Sequence, residues 1–203
     1  NQPTDTTADQ FSFSARELSP QLLAHIHNRK SGYWQHEFDR LADRKPAFCW
    51  NLGVANGQIL YSGNRVWSTQ MLFRVVQRYI VQTHSSAVKP QLELLKRKAE
   101  QESLNPAQLI FAMKHMNVIS ESQLKTALRI KILNDLDIYL LMGSGSAKFI
   151  AVDIDNQLPV VDGFSPIILL DEAKQRHLQW AQLRQQVPSM KLYPILDRSA
   201  MKK

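Results

Sequence analysis

Two hydrophobic periods alternate along this chain. Around residues 48–62 the apolar side chains recur at every second position: Phe48, Trp50, Leu52 and Val54, then Ile59 and Tyr61. Between the two runs sits Asn56-Gly57, a pair that tolerates the positive φ needed at both centres of a type I′ turn, so a β-hairpin is predicted. With that turn, Ala55 faces Gln58, Val54 faces Ile59 and Leu52 faces Tyr61. Alternation then puts Phe48, Trp50, Leu52, Val54, Ile59 and Tyr61 on one face, and Cys49, Asn51, Gly53, Ala55, Gln58 and Leu60 on the other. Large rings opposite a small or polar face suit a sheet packed on helices. A platform for RNA bases would interleave exposed rings with Arg or Lys, and no basic residue lies between Phe48 and Gly63. The rings are expected in the core.

Elsewhere the period is close to 3.6. Ser19 reads as an N-cap with Pro20 at the first helical position, followed by the stripe Leu22, Leu23 and Ile26 and a stop at Gly32. Residues 33–39 (YWQHEFD) read as a strand, joined to the hairpin by a charged connection. A helix is predicted from Ser68 or Thr69, with Leu72, Val75, Val76, Tyr79 and Ile80 on one face and Arg74, Gln77 and Arg78 on the other. Pro90 starts a helix running to about Gln101, and Asn105-Pro106 caps and starts the next. Ser120 and Gln123 form a capping-box pair ahead of the ridge Leu124, Leu128, Ile132, Leu136 and Leu140, flanked by Ala127, Leu133 and Tyr139. The run GSGS at 143–146 breaks that helix, residues 147–155 read as a strand, and a last amphipathic helix spans about Leu169 to Gln186. The segment after it reads as extended. This order predicts an α+β fold, a small mostly antiparallel sheet including the hairpin packed against a helical lobe.

A length of 203 residues suits one domain, and 44% hydrophobic with 21% charged residues is ordinary for a globular chain. The single cysteine, Cys49, excludes an internal disulfide and a Cys-rich zinc site, and agrees with a reducing cytoplasm. No segment approaches 18 consecutive apolar residues, so no membrane span is expected. The first ten residues lack the basic and apolar regions of a signal peptide and read as a flexible polar tail. The formal charge of +7, from 25 basic and 18 acidic residues, invites an acidic protein or a nucleic acid as partner. The basic residues are scattered, and the densest cluster, Lys96, Arg97 and Lys98, is followed at once by Glu100 and Glu102.

Candidate chemistry is sparse. The MGSGSAKF stretch lacks P-loop spacing and sits after a helix and before a strand, the reverse of a phosphate-cradling turn. Asp153, Asp155 and Asp162 match no EF-hand loop, and Asp153 and Asp155 are expected on one side of a strand end. Asp135 and Asp137, two apart on a helix, do not face each other. His25 and His27 have a spacing that cannot chelate one metal with His36, His84 sits near a helix end, and His115 and His177 have no evident partner. No Ser–His–Asp set can be assembled, and no basic neighbour can be named beside Cys49. No catalytic, metal or cofactor site is expected.

The residues LSPQLLAHIHNRKSGYWQHEF, then WNLGVANGQILYSGNRVW leading into a helix with Arg74 and Arg78, resemble the PATAN domain. That is the amino-terminal domain of PatA-type response regulators, found chiefly in cyanobacteria. The family's glycine-led G-x-[IL]-[LI]-[WY] run is matched by Gly57, Ile59, Leu60 and Tyr61, with Gly63 and Trp67 following. The family's usual tryptophan is Tyr61 here, and its proline-rich exit is matched only by Pro188 and Pro194. The resemblance covers residues 13–198, leaving 1–12 and 199–203 as tails, with any receiver domain beyond Lys203. It implies a non-enzymatic, cytoplasmic protein-interaction domain in two-component signalling for motility, phototaxis or cell patterning. Its partners would be signalling proteins, with a receiver in cis taking the phosphoryl group. The expected contact surface is the basic faces around Arg74, Arg78, Lys96, Arg97 and Lys98. The alternative, resting on charge alone, is a basic nucleic-acid-binding module.

Overall fold

The computed structural model describes residues 10–14, 18–27, 31–39, 49–158 and 162–186. Five strands form one antiparallel sheet: β1 (Gln10–Phe13), β2 (Ser31–Phe38), β3 (Cys49–Ala55), β4 (Gln58–Gly63) and β5 (Gly145–Ala151), in the order β1-β5-β2-β3-β4. Among the described residues six helices complete the α+β fold: α1 (Leu18–His27), α2 (Thr69–Tyr79), α3 (Lys89–Gln101), α4 (Pro106–His115), α5 (Glu121–Met142) and α6 (Pro166–Gln186). Short 3-10 turns lie at Val81–His84 and Asp155–Gln157.

The hairpin turns where expected, with φ of 50° at Asn56 and 75° at Gly57, and Ala55–Gln58 and Val54–Ile59 pair as anticipated. Beyond that point the register differs. Gly53 pairs with Tyr61 and Leu52 with Ser62, so Leu60 is an extra residue in a β-bulge. The bulge moves Tyr61 off the face of Trp50 and Leu52 and onto that of Tyr33 and Gly53. Gly53 makes this possible, because a Cβ there would lie 2.4 Å from Ile154 Cδ1 and 3.2 Å from Tyr33 Cε1. Trp50, Leu52 and Tyr61 are nevertheless all buried, as the aromatic pattern predicts. Phe48 lies outside the described residues.

Cross-strand pairing places Phe11, Phe13, Trp34, His36, Phe38, Trp50, Leu52 and Phe149 on one face of the sheet. Tyr139 of α5 packs into it, with ring centroids 4.2 Å from Trp50, 5.1 Å from His36, 5.2 Å from Phe38 and 6.0 Å from Phe13. His25 of α1 stacks on Phe11 at 4.0 Å beside Trp34. The opposite face is polar over β1 and β5, where Gln10, Ser12 and Lys148 are exposed. At its other end Tyr33 and Tyr61 are covered, with the Tyr33 hydroxyl accepting from the Trp67 backbone N–H at 2.9 Å.

The helices start as their caps dictate. The Ser68 hydroxyl accepts from Met71 N–H, and capping boxes close at Asn105/Gln108 and Ser120/Gln123. The α5 ridge is buried at Leu124, Leu128, Ile132 and Leu136 and half-buried at Leu140. Gln123 also exchanges amide hydrogen bonds of 3.0 and 2.8 Å with Gln82, tying α5 to the turn after α2.

Several boundaries differ from expectation. Residues 10–12, assigned to the tail, belong to a strand on the sheet's edge. Ser19 is already helical rather than a cap, and Gly32 is a β2 residue rather than a helix stop. The strand expected at 147–155 ends at Ala151, because Asp153 turns the chain by accepting from the Asn156 backbone N–H at 3.3 Å. The last helix begins three residues early, at Pro166, in the position proline favours.

Gly53→Ala should therefore destabilise the fold by about 1–3 kcal/mol through overpacking. A chemical-denaturation midpoint checks this, and an unchanged midpoint contradicts the close approach.

Candidate functional site

Where the bulge turns Ser62 inward, it meets two residues one turn apart on α5, Lys131 and Asp135. The Lys131 ammonium donates to the Ser62 carbonyl and to Asp135 Oδ2, while the Ser62 hydroxyl donates to that same oxygen at 2.7 Å. The Lys131 Nζ also stands 4.7 Å from the centroid of the Tyr61 ring. Tyr61 in turn donates to the Arg65 carbonyl at 3.1 Å and packs on Trp67. Burial lowers the Lys131 pKa, opposed by the Asp135 carboxylate and reinforced by Arg78. Burial pushes the Tyr61 hydroxyl up, helped by Asp135, and raises Tyr33 to about 12. With Lys131 only 7% exposed and Ser62 fully buried, the set presents no nucleophile to a substrate. It ties the edge strand to the long helix. Sequence reading missed Lys131, whose signal is the i,i+4 spacing to Asp135 within an otherwise apolar helix face.

A second buried polar group lies among the rings. His36 is 0% exposed, its Nδ1 3.2 Å from the Trp34 carbonyl, its ring edge-on to those of Phe11, Phe13, Trp50 and Tyr139. Its Nε2, the Trp50 Nε1 and the Tyr139 hydroxyl have no partner among the described residues. Burial drives the His36 pKa down to about 3, so the ring is neutral in the folded state.

The remaining candidates are dispersed. His25 is stacked on Phe11, and His27, His84 and His115 are exposed on separate elements. Asp153 bonds Asn156, Asp162 pairs with Lys125 at 3.7 Å, and Asp155 opens a 3-10 turn rather than extending β5, so the three aspartates are not gathered. Asp137 pairs with Arg176 at 2.7 Å. Among the described residues no three His, Cys, Asp or Glu side chains are placed to hold a metal. Cys49 is half-buried, and burial followed by Glu37 raises its thiol pKa against a weaker opposing effect from Lys148. Gly143 ends α5, but Gly145 and Ser146 already belong to β5, so the GSGS run is a helix stop followed directly by a strand rather than a turn. A cleft of about 460 Å³ opens where α2 and α4 begin, lined by Trp67, Ser68, Thr69, Asn105 and Gln157. Ser68 and Asn105 already satisfy the helix ends there.

The predicted contact residues all face solvent. Arg74 and Arg78 stand on α2, Arg78 5.6 Å from the Tyr79 ring, and both act electrostatically on the buried Tyr61–Lys131 pair. Lys96, Arg97 and Lys98 are exposed on α3, with Lys98 3.9 Å from Glu102. The five form two groups on two helices joined through the Val81–His84 turn. Among the described residues no helix is long and apolar enough to cross a membrane. Compared with known proteins, the chain matches no family model, no curated sequence and no solved structure.

Two outcomes follow from these buried groups. Lys131→Met should cost about 2–3 kcal/mol, because Asp135 loses its counter-charge while still partly enclosed, and Lys131→Met/Asp135→Leu should recover most of that loss. Denaturation of the two variants checks this, and equal losses would contradict it. An unfolded chain protonates His36 near 6.5 but the folded chain only near 3, so stability is complete above the higher value and falls with pH between the two. The slope is at most about 1.4 kcal/mol per pH unit. His36→Leu should flatten the stability profile between about pH 6.5 and 5, measured by urea titration against the parent chain.

Proposed function

We propose that this chain is a non-enzymatic protein-interaction domain of the PATAN kind, serving in the cytoplasm as the output domain of a two-component response regulator. The pathway is one of motility, phototaxis or cell patterning. One observation carries this reading: the hairpin's rings lie in the core while Arg74, Arg78, Lys96, Arg97 and Lys98 stand in solvent on helices. A domain so built acts through its outer helical surfaces. The docking partner is an acidic protein surface, and the net charge of +7 accelerates its encounter with this one. Phosphorylation of a receiver in cis alters how these faces are presented. The same charge favours a second reading, a nucleic-acid-binding module, whose affinity would fall steeply with salt.

Arg74→Glu/Arg78→Glu should cut capture of the acidic partner from cell extract by about tenfold, mainly through slower association. Unchanged capture removes the α2 face from consideration. Salt-sensitive binding of a random RNA or DNA duplex by the parent chain would favour the second reading.

A further inference from the structure

The positive charge of the chain is unevenly placed. From Pro46 to Leu92 the sequence has no Asp or Glu, but it has Arg65, Arg74, Arg78 and Lys89, more than half of the net +7. Helix α3 and its C-cap, by contrast, interleave Lys96, Arg97 and Lys98 with Glu93, Glu100 and Glu102. Their spacings of three and four residues let opposite charges on one helix meet, and Lys98 does pair with Glu102. The cations of α3 are therefore largely balanced within their own helix.

Those of α2 are not. The elements packed most closely against α2 are α5, α4 and the Val81–His84 turn. Helix α4 and the turn contain no acidic residue. Helix α5 has three, and each is engaged elsewhere: Glu121 by Lys114 at 2.8 Å, Asp137 by Arg176 at 2.7 Å, and Asp135 by Lys131 and the Ser62 hydroxyl. Among the described residues no carboxylate stands within ion-pair distance of Arg74 or Arg78.

The two arginines lie one turn apart on α2, Arg74 acting electrostatically on Tyr61 and Arg78 on Lys131. The Tyr61 hydroxyl, donating to the Arg65 carbonyl, brings the backbone of a third arginine to the same place, and Arg65 is exposed. Two residues on, Trp67 is anchored by its backbone N–H to Tyr33 and by its indole N–H to the Gln157 carbonyl at 3.3 Å. The connection into α2 is thus fixed on both sides of Val66, so its position is set before any partner arrives.

Chemistry selects the occupant. Like charges four apart on a helix repel, and Arg78 further opposes the charge on buried Lys131. A carboxylate seated between Arg74 and Arg78 relieves both, and guanidinium forks match its geometry. A nucleic acid fits less well, because single strands bind by stacking on exposed rings, and Tyr61 and Trp67 here are buried. Val66, 50% exposed, supplies instead the apolar contact that protein interfaces combine with arginine.

We propose that the acidic partner docks on Arg65, Arg74 and Arg78 rather than on α3, presenting two carboxylates about one helical turn apart, one to each α2 arginine. This rests on the protein-interaction reading and narrows it to one face.

Fluorescence anisotropy of a labelled peptide carrying Glu in i,i+4 pairs, titrated with the whole chain at low salt, tests the proposal. Arg74→Gln/Arg78→Gln should weaken binding at least about tenfold, and Arg65→Gln about threefold, with unchanged circular-dichroism spectra. Lys96→Gln/Arg97→Gln/Lys98→Gln should weaken it at most about twofold, although that variant loses one more charge. The peptide should also raise the urea midpoint of the parent chain but not that of the α2 variant. Equal losses in the α2 and α3 variants, or loss in the α3 variant alone, overturn the choice of face and leave an acidic partner in place. A peptide that is not bound at all overturns the proposal, and if single-stranded DNA is bound in its stead the protein-interaction reading falls with it.

Discussion

The extra residue in β4 governs how the sheet meets its helices. Without the bulge at Leu60, Tyr61 would point with Leu52 and Trp50, and Ser62 would face the other way. With it, Tyr61 lies over the bare backbone of Gly53, and Ser62 turns its hydroxyl and carbonyl towards α5. An ammonium moved out of water costs several kcal/mol after relaxation, and a lone carboxylate would not offset that. Here Lys131 has Asp135, the Ser62 carbonyl and the face of Tyr61 at once, and all but Asp135 come from the bulged strand. The ion pair is therefore a registration device. A one-residue slip of β4 would leave a charge buried without its partners, which penalises the alternative pairing heavily.

A different balance operates at the centre of the sheet. Three polar atoms, His36 Nε2, Trp50 Nε1 and the Tyr139 hydroxyl, sit unpartnered among the described residues, each at a cost of about 1–3 kcal/mol. The rings that carry them also supply the packing: Tyr139 alone engages Phe13, His36, Phe38 and Trp50, at about 0.5–1.5 kcal/mol per aromatic pair beyond area burial. The two totals are comparable. The favourable margin comes from the apolar area those rings remove from water. His36 can occupy this position only as the neutral ring, which gives a well-packed core an acid sensitivity.

Local signals in the chain were legible because their physics is local. Ser68, Asn105 and Ser120 cap helices through bonds to residues three positions on, and Asn56-Gly57 bends the chain by its own backbone preference. What escaped depends on distant partners. The four-residue β1 is a strand only because β5 pairs with it across more than a hundred residues. The bulge is invisible in the alternation of Ile59 and Tyr61, since its cause is the space above Gly53. Lys131 looked like any surface lysine until the edge strand supplied its second acceptor. The five basic contact candidates were readable as exposed, because a charged side chain stays in solvent unless a partner compensates its burial. The exposure of Trp180 and Leu183 was not, because the pattern of one helix does not say how far its neighbours extend along it.

Helix α6 is covered only in its first half: Leu169, Leu170 and Ala173 are buried, whereas every residue from Leu178 to Leu183 is exposed. An apolar helix face is held in water at a cost that scales with its area, and folding alone does not relieve it here.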